Sequence, residues 1–234
     1  MAGGLGMLAA AAETLESAPT PETAQIRGVI HITKRLTKRP VAQVANAYHR
    51  GVTVQPPSAA ENFIHAELDR VAIYLESEQP LPTKTVAATL NQKDRRFVED
   101  TVVIPTGSSV SFPNLDPVFH NVFSLSRAKS FDLGNYPQNE TRIVTFSKPG
   151  IVSVFCHLHP NMSATIVVTP NRWAVKPGRG GEYVLSGVPA GNYTLVVWHK
   201  SAGFFRAPVT VAGGQTLEVD FNIPIGAKSP QGVP

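Results

Sequence analysis

Short apolar runs broken by turn residues dominate the chain from Val86 to Thr169. VAATLNQ, RRFVED, TVVIPTG, SSVSFPN, HNVFSLS, TRIVTF, VSVFC and SATIVVT are rich in Val, Thr, Ile and Phe, with Gly, Pro, Asn or Asp between them. Runs of this kind at close spacing predict the strands of a β-sandwich or Greek-key barrel. The longest break, RAKSFDLGNYPQNE from Arg127 to Glu140, is expected to be a loop covering one end of the sandwich. Upstream, IRGVIHIT (Ile26–Thr33) and VAIYL (Val71–Leu75) have the pattern of strands, and QPLPT after the second reads as a turn. Between them, KRLTKRP (Lys34–Pro40) reads as a solvated basic turn, and AENFIHAELDR as a short helix or an irregular crossover.

The strand pattern restarts after Pro170 with RWAVKP, GEYVLSGVP, GNYTLVVWHK, RAPVTVA and TLEVDFNIP. GVPAGNY is the turn between two alternating strands, punctuated by Gly187, Pro189 and Gly191. This last region is short for an independent sandwich. It could borrow Ile26–Thr33 or Val71–Leu75, which would make the two ends of the chain one unit with the middle inserted. The expected divisions are a flexible tail or signal-peptide remnant (1–25), an N-terminal β segment (26–85), a central β-sandwich (86–170), a C-terminal β module (171–226) and a disordered tail (227–234).

Composition adds bounds to this picture. The 234 residues are 42% hydrophobic and 16% charged, a globular balance, and 20 Pro with 18 Gly suit a turn-rich all-β protein. The net charge of +4 is mildly basic, but no Lys/Arg run is interleaved with aromatics as nucleic-acid binding would need. No apolar stretch is long enough to predict a transmembrane helix. The start, MAGGLGMLAAAAETLESA, has an apolar run with no basic residue before Arg27, so it reads as a truncated signal peptide or a plain tail. One cysteine cannot make an intrachain disulfide, and cysteine usage therefore does not decide the compartment.

That one cysteine carries the candidate chemistry. VSVFCHLHPNM places Cys156, His159 and Met162 in C-x2-H-x2-M spacing between two strands. A thiolate, an imidazole and a thioether suit copper better than zinc, calcium or magnesium. A trigonal site with a long axial Met needs a second imidazole, for which His120 in DPVFHNVFS is the candidate. Successive strand residues face opposite ways, so Cys156 and His157 are not expected to share a ligand set; His157 is expected to face outward. A zinc site of Cys156, His157 and His159 would also be one ligand short. Pro160 would stiffen the loop, and Asn121 could hydrogen-bond across to it and tune the sulfur. Val118, Phe119, Phe123, Phe155 and Leu158 are the neighbours expected to exclude water. Asp116, Asp132 and Glu140 suggest turn and cap chemistry, and His199 a strand residue near an end. None of His31, His49, His65 and His199 forms an H-x-H pair for a second metal.

C-x2-H-x2-M after a strand, with H-N on another strand upstream, resembles the amicyanin/plastocyanin type of cupredoxin. QKDRRFVEDTVVIPTGSSVSFPNLDPVFHNVFSLS and FDLGNYPQNETRIVTFSKPGIVSVFCHLHPNMSATIVV are similar to the cupredoxin-like methylamine utilization proteins. GEYVLSGVPAGNYTLVVWH resembles the carboxypeptidase regulatory-like, or transthyretin-like, module that follows the cupredoxin in such proteins. The resemblance spans about residues 70–220 and implies an all-β fold, a cupredoxin Greek-key sandwich plus a small transthyretin-like module. It implies one type 1 copper held by His120, Cys156, His159 and Met162, with Asn121, Pro160 and Phe119 around them. It implies one-electron transfer in the bacterial periplasm or outside the cell, with a c-type cytochrome or a dehydrogenase as partner.

Two other readings stand beside it. In one, the chain is a binding module whose C-terminal part holds carbohydrate or protein, and exposed Trp173, Tyr183 and Trp198 on one face would favour it. In the other, it stores or delivers copper; methionine-rich tracts would favour that, and the chain has 3 Met. A copper oxidase or reductase would need a second metal cluster that the sequence does not offer.

Overall fold

The computed structural model describes residues 22–37 and 59–224. The leading elements are β1 (Ala24–Ile32), α1 (Ala59–Leu68) and β2 (Val71–Glu76). The middle of the chain supplies β3 (Ala87–Thr89), β4 (Gln92–Lys93), β5 (Arg96–Phe97), β6 (Thr101–Pro105), β7 (Ser109–Pro113) and β8 (His120–Ser126). It continues through β9 (Lys129–Tyr136), β10 (Thr141–Thr145), β11 (Gly150–Phe155) and β12 (Ser163–Thr169). The last part holds β13 (Ala174–Val175), β14 (Glu182–Val188), β15 (Gly191–His199), β16 (Gly203–Val211), β17 (Thr216–Glu218) and β18 (Phe221–Ile223).

The fold is all-β, built as two sandwiches. In the first, a five-stranded sheet ordered β6-β12-β11-β8-β9 accompanies a three-stranded sheet ordered β10-β7-β3. Ile104, Phe112, Val122, Val154 and Ile166 fill its core. In the second, β1 pairs antiparallel with β14 and parallel with β17 and β18, while β13-β2-β15-β16 forms the other sheet. Ile26, Ile73, Leu75, Leu185, Leu195 and Val197 lie in that core. Strands from before and after the first sandwich therefore share both sheets of the second.

The two sandwiches meet across a third apolar cluster of Ala72, Tyr74, Val167, Val196 and Trp198. This explains two sequence runs that lack alternation. In β12, Ile166 and Val168 serve the first core while Val167 serves the junction. In β15, Leu195 and Val197 serve the second core while Val196 and Trp198 serve the junction. A strand covered on both faces reads as continuously apolar. Gly28 in β1 is required by a close crossing: a Cβ there would stand 1.9 Å from the backbone oxygen of Val219.

Several expectations change. Arg127–Glu140 is not an end-covering loop; it contains β9, which pairs with β8 at the sheet edge. Its alternation is real, with Phe131 and Leu133 half-buried and Ser130 and Asp132 exposed, but Gly134 at φ 65° interrupts it. AENFIHAELDR contains the helix α1, RRFVED contracts to the two residues of β5, and TLEVDFNIP divides into β17 and β18. Trp173, Tyr183 and Trp198 are 3%, 3% and 5% exposed, so they form no carbohydrate-binding face. The tail expectations for 1–21 and 227–234, and the end of KRLTKRP, lie outside the described residues.

The described start of KRLTKRP is more than a solvated turn. Glu67, fully buried, accepts hydrogen bonds from Leu36 N, Thr37 N and Thr37 Oγ1 at 3.1, 2.9 and 2.8 Å. His199 Nε2 lies 3.2 Å from Glu67 Oε2. His199 Nδ1 accepts the N–H groups of Ser201 and Ala202, so the ring's proton sits on Nε2 and faces the carboxylate. Burial pushes the His199 pKa below its ordinary 6.5. The unfolded chain then binds the extra proton first, and stability should fall as the pH drops below about 6.5. His199→Gln should flatten that part of a plot of urea midpoint against pH. Glu67→Ala, which takes the acceptor from Leu36 N, Thr37 N and Thr37 Oγ1 and leaves the buried His199 ring without its carboxylate, should cost about 3 kcal/mol; a cost near zero would show that the network does not hold this corner.

Candidate metal centre

β11 runs from Gly150 to Phe155 against β12, and Cys156 is the first residue beyond its end. The loop from Cys156 to Met162 is drawn in by Met162 N donating to His159 O at 3.0 Å, after which β12 begins. His120 starts β8, which pairs with β11 through Phe123 and Phe155. This sheet brings together residues 36 positions apart in the chain.

The donor atoms converge. Cys156 Sγ lies 3.9 Å from His120 Nδ1 and 3.7 Å from His159 Nδ1, and all three atoms lie within 4.8 Å of one another. A nitrogen about 2.0 Å and a sulfur about 2.3 Å from one ion, subtending roughly 120°, would stand about 3.7 Å apart. The two rings meet edge to face with centroids 4.7 Å apart. His120 and Cys156 are buried and His159 half-buried. Met162 is 1% exposed and belongs to the same apolar cluster as Cys156. The donor set and its spacing fit a copper ion.

Neighbouring polar groups hold the donors. Asn121 N donates to Cys156 Sγ at 3.4 Å, a bond that favours the thiolate. The Asn121 side chain accepts His157 N at 3.4 Å and donates to Asp132 Oδ1 at 2.6 Å, tying the ligand loop to β8 and β9. The N–H of Gly134 and the amide of Asn121 hold the Asp132 carboxyl below its usual range. Burial depresses the His159 pKa below its ordinary 6.5. Tyr136, opposite His120 in the β8–β9 register, donates to Phe112 O at 3.0 Å, and burial pushes its pKa up to about 12.

His157 does not join the donors. Its ring stacks on Phe123 with centroids 3.7 Å apart and planes 1° from parallel, and Nε2 lies 3.6 Å from Asp132 Oδ2. Pro160 is exposed on the ligand loop. Phe119 is 56% exposed, and Phe155 and Leu158 are also exposed, so these three do not seal the site from water as expected. Cys156 and Met162 belong instead to the buried apolar cluster that includes Val122, Val154 and Phe112.

Parts of the chain are similar to solved copper proteins. Amicyanin from Paracoccus versutus is 22% identical over 42% of this chain and 97% of that one, with a TM-score of 0.34. A purple cupredoxin from Nitrosopumilus maritimus is 20% identical over 35% of this chain and 99% of that one, at 0.32. A copper-containing nitrite reductase from Thermus scotoductus is 25% identical over 40% of this chain, at 0.34. The chain spans only 24% of that reductase. No protein-family model matches the chain, and no curated protein does.

Asp116 is the contributor that sequence reasoning missed. Its Oδ2 lies 2.7 Å from His120 Nε2, on the side of the ring away from Cys156. Burial opposes its charge, but hydrogen bonds from Arg95 N, the His120 ring and Asp94 N outweigh that and hold its carboxyl below the usual range. The available signal was its place four residues before a candidate ligand, in D-P-V-F-H. Asp132 is likewise more than a turn residue, and its bond to Asn121 depends on the β8–β9 pairing.

Proposed function

We propose that the chain is an electron carrier with one type 1 copper held by His120 Nδ1, Cys156 Sγ and His159 Nδ1, and by Met162 as a weak axial ligand. The reading rests on the convergence of a thiolate and two imidazoles at 3.7 and 3.9 Å in a largely buried place. When bound, copper supplies a one-electron couple. The chain's own residues keep the donors still: β8 carries His120, the end of β11 carries Cys156, and Asn121 links them. A site held this way changes little between oxidation states, so electron exchange needs little rearrangement.

His159 is the proposed port, being half-buried on a loop that also exposes Leu158. Leu115 and Phe119, on the segment before His120, are exposed as well and would form part of an apolar docking edge. The partner would be a c-type cytochrome or a dehydrogenase with an acidic face, met in the periplasm or outside the cell. Attraction through the chain's mild positive charge would weaken with salt. Residues 86–170 are proposed as the cupredoxin unit. The second sandwich is proposed as a carboxypeptidase regulatory-like module, completed by strands from 26–85.

Titration of the metal-free chain with Cu(II), followed by visible and EPR spectra, tests this. An intense blue thiolate-to-copper band with narrow hyperfine splitting is expected at one copper per chain. A colourless protein that takes up zinc stoichiometrically instead would sink the reading. His157→Ala should leave the blue colour intact, because that ring stacks on Phe123 outside the donor set.

A further inference from the structure

Asp116 is 6% exposed and carries three hydrogen bonds on its carboxylate. Oδ1 accepts Asp94 N at 2.7 Å, and Oδ2 accepts Arg95 N at 2.8 Å and faces His120 Nε2 at 2.7 Å. Asp94 and Arg95 form the turn between β4 and β5, at φ 54° and 55°. Non-glycine residues seldom adopt this left-handed conformation. Here two in succession aim their N–H groups at one carboxylate. Asp116 N in turn donates to Oδ1 of the fully buried Asn114, whose amide donates to Val118 O and Tyr136 O. The carboxylate is therefore fixed from both sides.

An ionised carboxylate has no proton to give, so the proton of the Asp116–His120 bond belongs to His120 Nε2. In the neutral ring Nδ1, the nitrogen facing Cys156, then keeps its lone pair. A carboxylate behind a ligand imidazole fixes its tautomer and orientation and makes it a stronger donor. Its charge lies 2.7 Å behind the ring of a proposed ligand.

We propose that Asp116 is a positioning residue for the copper site, setting the tautomer of His120 and favouring Cu(II) over Cu(I) through its buried charge. This rests on the copper reading above. The Asp94–Arg95 turn serves as the holder of that carboxylate.

Two measurements test it, and the first needs neither metal nor variant. Nitrogen-15 NMR of histidine-labelled, metal-free protein, recorded at a pH high enough for the ring to be neutral, should show His120 protonated at Nε2 and bare at Nδ1; the opposite tautomer would overturn the proposal. The second compares copper-loaded wild type with Asp116→Asn, which keeps the shape and removes the charge. Cu(II) affinity should fall about 10- to 100-fold, the usual consequence of losing such a partner. Cu(I) affinity should change less, so the reduction potential should rise by about 59 mV for each tenfold difference between the two. A blue Asp116→Asn protein with unchanged potential would refute the role. A wild type that gives no blue copper would instead refute the copper reading, leaving the tautomer to be judged by NMR. If Asp116→Asn does not fold, the wild-type NMR result decides.

Discussion

Cys156→Ser is expected to abolish the blue band completely while leaving the β-fold in place. The sulfur lies 3.9 and 3.7 Å from the two imidazole nitrogens, and it accepts the N–H of Asn121. A serine hydroxyl remains protonated near neutral pH and is a hard donor, so it cannot replace the soft thiolate that copper selects. The two imidazoles would still offer a weak, colourless site for a divalent ion. Because serine is close to cysteine in size, the apolar cluster around Val154 and Met162 should survive. Visible absorption and far-ultraviolet circular dichroism of the two proteins check this together. A Cys156→Ser protein that still binds copper with an intense blue band would show that the sulfur is not a ligand.

Trp173→Ala should lower stability by about 3–5 kcal/mol, the range for removing a large buried aromatic. Trp173 is 3% exposed in the core of the second sandwich, and its indole N–H donates to the backbone oxygens of Ser186 and Gly187 at 3.2 and 3.1 Å. Its backbone oxygen also accepts Leu75 N, so the residue spans strands drawn from both ends of the chain. The change removes apolar burial, leaves a cavity and removes the indole's hydrogen bonds to two carbonyl groups. A typical domain is stable by only about 5–15 kcal/mol, so the loss is a large fraction. Urea denaturation gives the value. A loss below about 1 kcal/mol would place the indole on the surface, where a carbohydrate contact again becomes reasonable.

The strands were legible because their residues obey simple local rules. β6, β11 and β12 coincide closely with TVVIP, VSVF and SATIVVT, whose β-branched residues sit between turn signals. Where local signals conflicted, reading was harder. β9 was hidden by Gly134 and by exposed polar positions, since an edge strand buries only part of one face. The aromatic residues could not be placed from sequence either. Trp198 ends the continuous apolar run LVVW, whose two faces the sequence does not tell apart, and it is buried where one sandwich covers the other.

The available chemistry is written in the order of residues alone: one thiolate, an imidazole and a thioether in C-x2-H-x2-M spacing, with a second imidazole beside Asn121. Side-chain type and loop spacing are local properties, and metal preference follows from donor type. Only the tertiary structure decided how those donors are held. The pairing of β8 with β11 brings His120 to Cys156, the pairing of β8 with β9 brings Asp132 to Asn121, and the β4–β5 turn closes on Asp116. These contacts join residues 11 to 36 positions apart, and their geometry depends on strand register, which is set when whole sheets bury their apolar faces.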